Sequence, residues 1–332
     1  MILCLHTWLN LAEGIPVIGD IETAVKSSGY AGVDIFFFLS GMGLVTSMER
    51  NSNLLRYYVR RFQKLIFPFW LVAILNLIIN GWSLSTFFKA VSGYSFVFED
   101  PMLILWFVPS ISIYFLFFPA YYFLISKFKK KELMILLFLV LSILVVAIVK
   151  RYGNTNMHCM FDRLPVFMLG SSLAFLKNIR IKLTRWMFAL SLMVLLVCEF
   201  YILGSVTENS TIRTLTSRSF PGYLLLGSLI ALSLAIILSY LLRHVATTDP
   251  VRRILSFFGK ISFELYCIQE FFVIIFARLV GVLFGSVDKG IGYFIFNISF
   301  FILCVSIAFL IYKLNNFIVA FFGRLIKGVA KQ

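Results

Sequence analysis

The side chain best suited to chemistry in this sequence is His6, in "MILCLHTWLN". An imidazole titrates near neutral pH, so it can take up and return a proton within one catalytic cycle. Asp34 is the second such group, in "GYAGVDIFFFLSGMG" at 29–43. A carboxylate beside an imidazole would orient it and stabilise its charged form. Both have plainer readings. The histidine can be hydrogen-bonded near a membrane interface, and the aspartate can cap the start of a helix through backbone amides. An Asp–His pair would also suit a proton relay in a transporter.

Basic and polar groups supply the rest. Arg60, Arg61 and Lys64 lie in "RYYVRRFQKLIFPF", and spacings of three and four gather them on one side of a helical turn. Such a cluster could hold phosphates by charge-assisted hydrogen bonds, or anchor the chain to anionic headgroups. Arg163 opens "RLPVFMLGSSLAF", and Lys260 and Ser262 sit in "FFGKISFELYCIQE". These three could stabilise an oxyanion or bind an acceptor, or serve as caps and interface residues. No metal site is expected. The five cysteines form no CxxC pair, and His158 and Cys159 are neighbours without further ligands.

The elements that must position these groups are membrane helices. Of 332 residues, 61% are hydrophobic and 14% charged. A helix of roughly 20 apolar residues crosses the ~30 Å hydrocarbon core, and no segment alternates like a barrel strand. Ten spans are expected: 1–12, 29–48, 62–81, 104–125, 133–149, 164–176, 186–204, 221–242, 262–284 and 291–312. The expected fold is an all-α polytopic bundle forming one integral-membrane domain over 1–332. His6, Asp34, Glu199, Glu264, Glu270 and Arg278 then fall inside spans. An ionisable group there costs about 2.5–3.5 kcal/mol on insertion scales, so it faces a protein interior or a wet cavity.

The net charge of +15 is a topology signal, not a nucleic-acid footprint. The stretches 49–64, 126–131, 177–185, 243–260 and 313–332 hold 21 of the 30 Lys and Arg residues. Lys/Arg excess marks the cytoplasmic side. The expectation is a multi-pass membrane protein with its C-terminus in the cytoplasm.

The first span is short. Residues 1–12 reach only ~18 Å as a helix. Either the native start lies upstream of Met1, or the helix enters the bilayer partway; the first is the expectation.

Taken in order, His6, "GVDIFFFLSG", "RRFQKLIFPFW", "LWFVPSISIYFLFFP", "RLPVFMLGSS" and "FFGKISFELYCIQ" resemble the bacterial membrane acyltransferase type 3 family nearly end to end. Members O-acylate, usually O-acetylate, surface glycans and related acceptors. The resemblance implies that His6 is catalytic. It equates Arg61 and Lys64 with a cytoplasmic Arg-x-x-Arg element, Arg163 with the arginine ahead of a short Phe/Gly helix, and Gly259, Lys260 and Ser262 with a late Gly-Lys-Ser element. Three departures stand out. The family's arginine ten or eleven residues before the histidine has no counterpart after Met1. Lys64 keeps the charge of an arginine but loses its fork. Gln269 occupies a position where many relatives carry histidine.

The resulting expectation is an O-acyltransferase with acyl-CoA, most simply acetyl-CoA, as co-substrate. Its phosphates would meet Arg60, Arg61 and Lys64, and a lipid-linked or exported saccharide would be the acceptor. The competing classes are a proton-coupled transporter and a catalytically inactive relative.

Overall fold

The computed structural model describes residues 31–99, 106–176, 184–206, 220–245, 249–283 and 291–329. Among these residues there are twelve helices and no strand. His6 and the expected first span lie outside them.

Helix α1 (Ala31–Arg50) carries Asp34 in its first turn. A short link leads to α2 (Leu54–Ile79). Two side chains fix where α2 begins. Asn51 Oδ1 accepts from the Asn53 amide at 2.9 Å, and Asn53 Oδ1 accepts from the Arg56 amide at 2.8 Å. This N-cap satisfies one of the amides that the first turn leaves unpaired. As a consequence α2 starts at Leu54, ahead of the span expected from 62, and Arg56 lies on the same helix as Arg60, Arg61 and Lys64.

Two short helices follow, α3 (Leu84–Val91) and α4 (Tyr94–Phe98). Gly93 separates them at φ +77°, a conformation that costs glycine little. The chain continues through α5 (Phe107–Lys127), α6 (Lys131–Tyr152), α7 (Thr155–Phe161), α8 (Leu164–Phe175) and α9 (Arg185–Val206). It ends in α10 (Phe220–Val245), α11 (Asp249–Leu283) and α12 (Ile291–Val329).

Among the described residues, six helices are long and apolar enough to cross a membrane: Gly32–Arg50, Leu54–Ile79, Phe107–Lys127, Lys131–Tyr152, Gly227–His244 and Ile298–Phe321. The other spans of the expected ten are not among these six. Helix α8 has 12 residues, about 18 Å, well short of the hydrocarbon thickness. Helix α9 runs over Arg185–Val206, 22 residues. Helix α11 bears Arg252, Arg253, Lys260, Glu264, Glu270 and Arg278 along its length, and begins at Asp249 rather than at 262.

The tightest packing is between α1 and α8. A Cβ at Gly41 would collide with the Phe167 carbonyl, and one at Gly170 with the Phe38 carbonyl. Close backbone approach through small residues is how membrane helices associate without a hydrophobic drive. Helix α5 locks onto the same pair. Tyr114 packs on Phe37 and Phe167, and the Tyr121 and Ser171 hydroxyls lie 3.0 Å apart. Tyr57 and Tyr58 of α2 donate to the carbonyls of Phe115 and Leu116 on α5. Beyond this centre, α9 pairs with α10 and α11 with α12.

Candidate active site

Polar side chains collect at two levels of the bundle. The first lies at the start of α1 and α8, away from the Lys/Arg-rich ends. Asp34 and Arg163 are both buried, and Arg163 Nε lies 3.1 Å from Asp34 Oδ1. The contact is an ion pair and not an aligned hydrogen bond. Arg163 Nη1 donates to the Cys159 carbonyl at 2.7 Å, and the guanidinium lies 4.7 Å from the centre of the Trp106 ring. A planar guanidinium that stacks on an aromatic face while it bonds in its own plane is a task lysine cannot perform.

The local sequence explains how Arg163 is placed. Asn154 caps α7 by accepting from the Met157 amide, and its Nδ2 donates to the Val97 carbonyl. Asn156, fully buried, donates to the Glu99 carbonyl at 2.8 Å. Lys150 pairs with Asp162 at 2.7 Å, and Tyr114 donates to the Met160 carbonyl at 2.6 Å. This frame ties α4, α5, α6 and α7 together and delivers Arg163 as the residue before α8. The proline at the start of α8 suits a first turn, whose amides lack intrahelical partners.

The second level is a cavity of about 490 Å³ at the Lys/Arg-rich end. Arg61 and Lys64 from α2, Lys260, Ser262 and Glu264 from α11, and Asn315 from α12 line its polar part. Phe36 of α1 and Phe107, Ile111 and Phe115 of α5 form its apolar wall. Arg61 rests 5.6 Å from the centre of the Phe115 ring. The three cations come from two helices far apart in sequence and share one space. Arg60 lies outside this lining and faces a neighbouring cavity of about 400 Å³, which Arg61 and Lys64 also border.

The expected site residues therefore divide. Lys260 and Ser262 stand with Arg61 and Lys64, whereas Arg163 stands with Asp34 at the other level. Phe36, two residues after Asp34, and Phe107, next to Trp106, belong to the cavity wall, so the two levels adjoin. Phe107 in turn packs on Tyr266 of α11 at 5.3 Å. Gln269, one turn further along α11, is buried, and its Nε2 has no hydrogen-bond partner among the described residues.

Two contributors escaped sequence reasoning. Trp106 reads as part of an aromatic packing stretch, and nothing local announces its stack on Arg163. Asn315 had a visible signal, the adjacent amides of "KLNNFIV" in an otherwise apolar helix. It lines the same cavity as Glu264 and Lys64. No group of three or more His, Cys, Asp and Glu side chains suited to a metal occurs among the described residues.

A family model described as an acyltransferase domain matches residues 1–313. No curated protein and no solved structure matches the chain. Several apolar helices and a match over nearly the whole sequence carry the same conclusion: the chain is a membrane protein that belongs to the acyltransferase 3 family.

Proposed function

We propose that the protein moves an acyl group, acetyl in the simplest case, from acyl-CoA to a hydroxyl of a cell-envelope saccharide. The observation that carries this reading is the cavity in which Arg61, Lys64 and Lys260 converge beside an aromatic wall. Cations on two helices suit the phosphates of a coenzyme by charge-assisted hydrogen bonds. The apolar wall of Phe36, Phe107 and Ile111 suits the thinner arm that ends in the thioester. Arg60, in the adjoining cavity, adds to the positive field at the mouth. Ser262 offers a hydroxyl to the same ligand. This reading assigns Lys260 and Ser262 to the donor, since they share its cavity, and leaves Arg163 to the acceptor side. The Lys/Arg-rich end is then cytoplasmic, as the charge bias requires.

His6 is the proposed base. Its imidazole removes the acceptor hydroxyl proton as the oxygen attacks the thioester carbonyl. The C–S bond breaks, and the proton passes to the departing thiolate, giving an ester and free coenzyme thiol. In the two-step variant His6 is acylated first and hands the group to the hydroxyl. Asp34 is a positioning residue. Its carboxylate, paired with Arg163, would orient the imidazole and stabilise its charged form.

The test is transfer of label from acetyl-CoA into membrane glycans by cells or proteoliposomes. Wild type transfers label, whereas His6→Ala loses it at equal protein abundance. Undiminished labelling by His6→Ala would remove the mechanism.

A further inference from the structure

One apolar groove takes no part in the chemistry above. It lies between α2 and α12, encloses about 710 Å³, and is walled by Phe62, Ile66, Trp70 and Ile74 with Ile318 opposite. Trp70 is 49% exposed and Ile74 40%, so the groove opens sideways from the bundle rather than toward the site. At one end it meets the cavity of about 400 Å³ that carries Arg56 and Arg60; Gln63, Asn315 and Val319 line both.

The sequence of α2 writes this as a gradient. Residues seven apart share a helix face, and Arg56, Gln63 and Trp70 follow that spacing. Over about 21 Å of helix the face passes from cation to amide to indole. Helix α2 is apolar enough to cross a membrane, so the apolar part of the groove lies at hydrocarbon depth and its arginine at a headgroup level. A water-soluble ligand would leave the Trp70 end unused. A zwitterionic lipid would bring a positive group against arginines. An anionic amphiphile satisfies both ends.

We propose that this groove binds an anionic glycerophospholipid, with one acyl chain against Trp70 and Ile74 and its phosphate beside Arg56. The proposal does not rest on the acyl-transfer reading. Arg56 does not line the donor cavity, whereas Arg60, Arg61 and Lys64 also border the cavity that would take the phosphate.

The test uses purified protein in nanodiscs of unlabelled phosphatidylcholine, with a few per cent of a lipid brominated on its acyl chains. Bromine quenches tryptophan at contact. The difference between wild type and Trp70→Phe isolates one of the five tryptophans. Brominated phosphatidylglycerol is expected to quench Trp70 at about fivefold lower mole fraction than brominated phosphatidylcholine, the effect of one cation near a headgroup. Arg56→Ala should abolish the preference and Arg56→Lys keep most of it. Arg50→Ala, at a cavity that does not border the groove, should leave it intact. Equal quenching by the two lipids, or a preference that survives Arg56→Ala, overturns the proposal. So does no quenching by either lipid, which would mean that another part of the chain or a second copy covers the groove.

Discussion

Arg163 reaches across from the start of α8 to place its Nε 3.1 Å from Asp34 Oδ1 on α1, with both side chains buried. Each charge is a liability alone, since an isolated buried ion costs several kcal/mol. Together they sit above the glycine contact that joins their two helices.

Breaking this pair should therefore cost more than deleting it. Asp34→Asn or Arg163→Met is expected to lose about 3–5 kcal/mol, because each strands the opposite charge. The double variant should be less destabilised than the sum of the two. Thermal unfolding in detergent across the double-mutant cycle measures the coupling, and additivity would contradict the pairing. Arg163→Lys should recover only part, because the ammonium cannot stack on Trp106.

The glycine contact makes a sharper prediction. Gly41→Leu and Gly170→Leu should abolish folded protein, since even a Cβ meets a backbone carbonyl at either position. Gly43→Ala, two residues from Gly41 and with open space around it, should leave folded protein intact, since alanine favours a helix interior over glycine by about 0.5–1 kcal/mol. Yield of monodisperse protein on size exclusion separates the two cases.

At the donor cavity, Arg61→Ala should raise the KM for acetyl-CoA about 10- to 100-fold and leave kcat little changed. That range matches the loss of one hydrogen bond to a charged group, about 1.5–3 kcal/mol. Lys260→Ala should act in the same direction, because it lines the same space. A fall in abundance without a change in KM would assign these cations to anchoring.

Lys89 and Glu99 form an exposed ion pair at 2.6 Å between α3 and the end of α4. The hydrogen bond from Lys89 holds Glu99 below its ordinary pKa of 4.5, and the same bond holds Lys89 above 10.5. The contribution of Glu99 is thus present above pH 4.5 and fades as pH falls through its lowered value. That of Lys89 is present below 10.5 and fades as pH rises beyond it. Glu99→Gln is expected to melt at a constant small offset from wild type between about pH 6 and 9, with the offset closing in acid. A slope within that range would point to a different group.

Much of this architecture was legible because hydrocarbon thickness and the Lys/Arg bias act on composition alone. The spans at 29–48, 104–125 and 133–149 correspond to α1, α5 and α6 within a few residues. Helix α2 begins ahead of the span expected at 62–81, because an apolar run does not register polar first turns that an asparagine caps. The span expected at 164–176 falls on α8, whose 12 residues pack against α1, so hydropathy there does not report depth in the membrane. The motif series placed Asp34, Arg61, Lys64, Arg163, Lys260 and Ser262 among residues that matter. It could not say which of them meet. Spacing along one helix fixes a face, whereas the partner of that face is set by how glycines and aromatics let distant helices approach. Hence Arg163 was grouped with Lys260 in the sequence and belongs with Asp34 in the fold.

Helix α8 is about 18 Å long and is wedged by its glycine against α1, beside the two polar levels. In the proposed reaction, so short a rod would leave less hydrocarbon between the carrier on one side and the alcohol on the other than a full span does. The acyl group would then pass without any large part of the protein swinging to carry it.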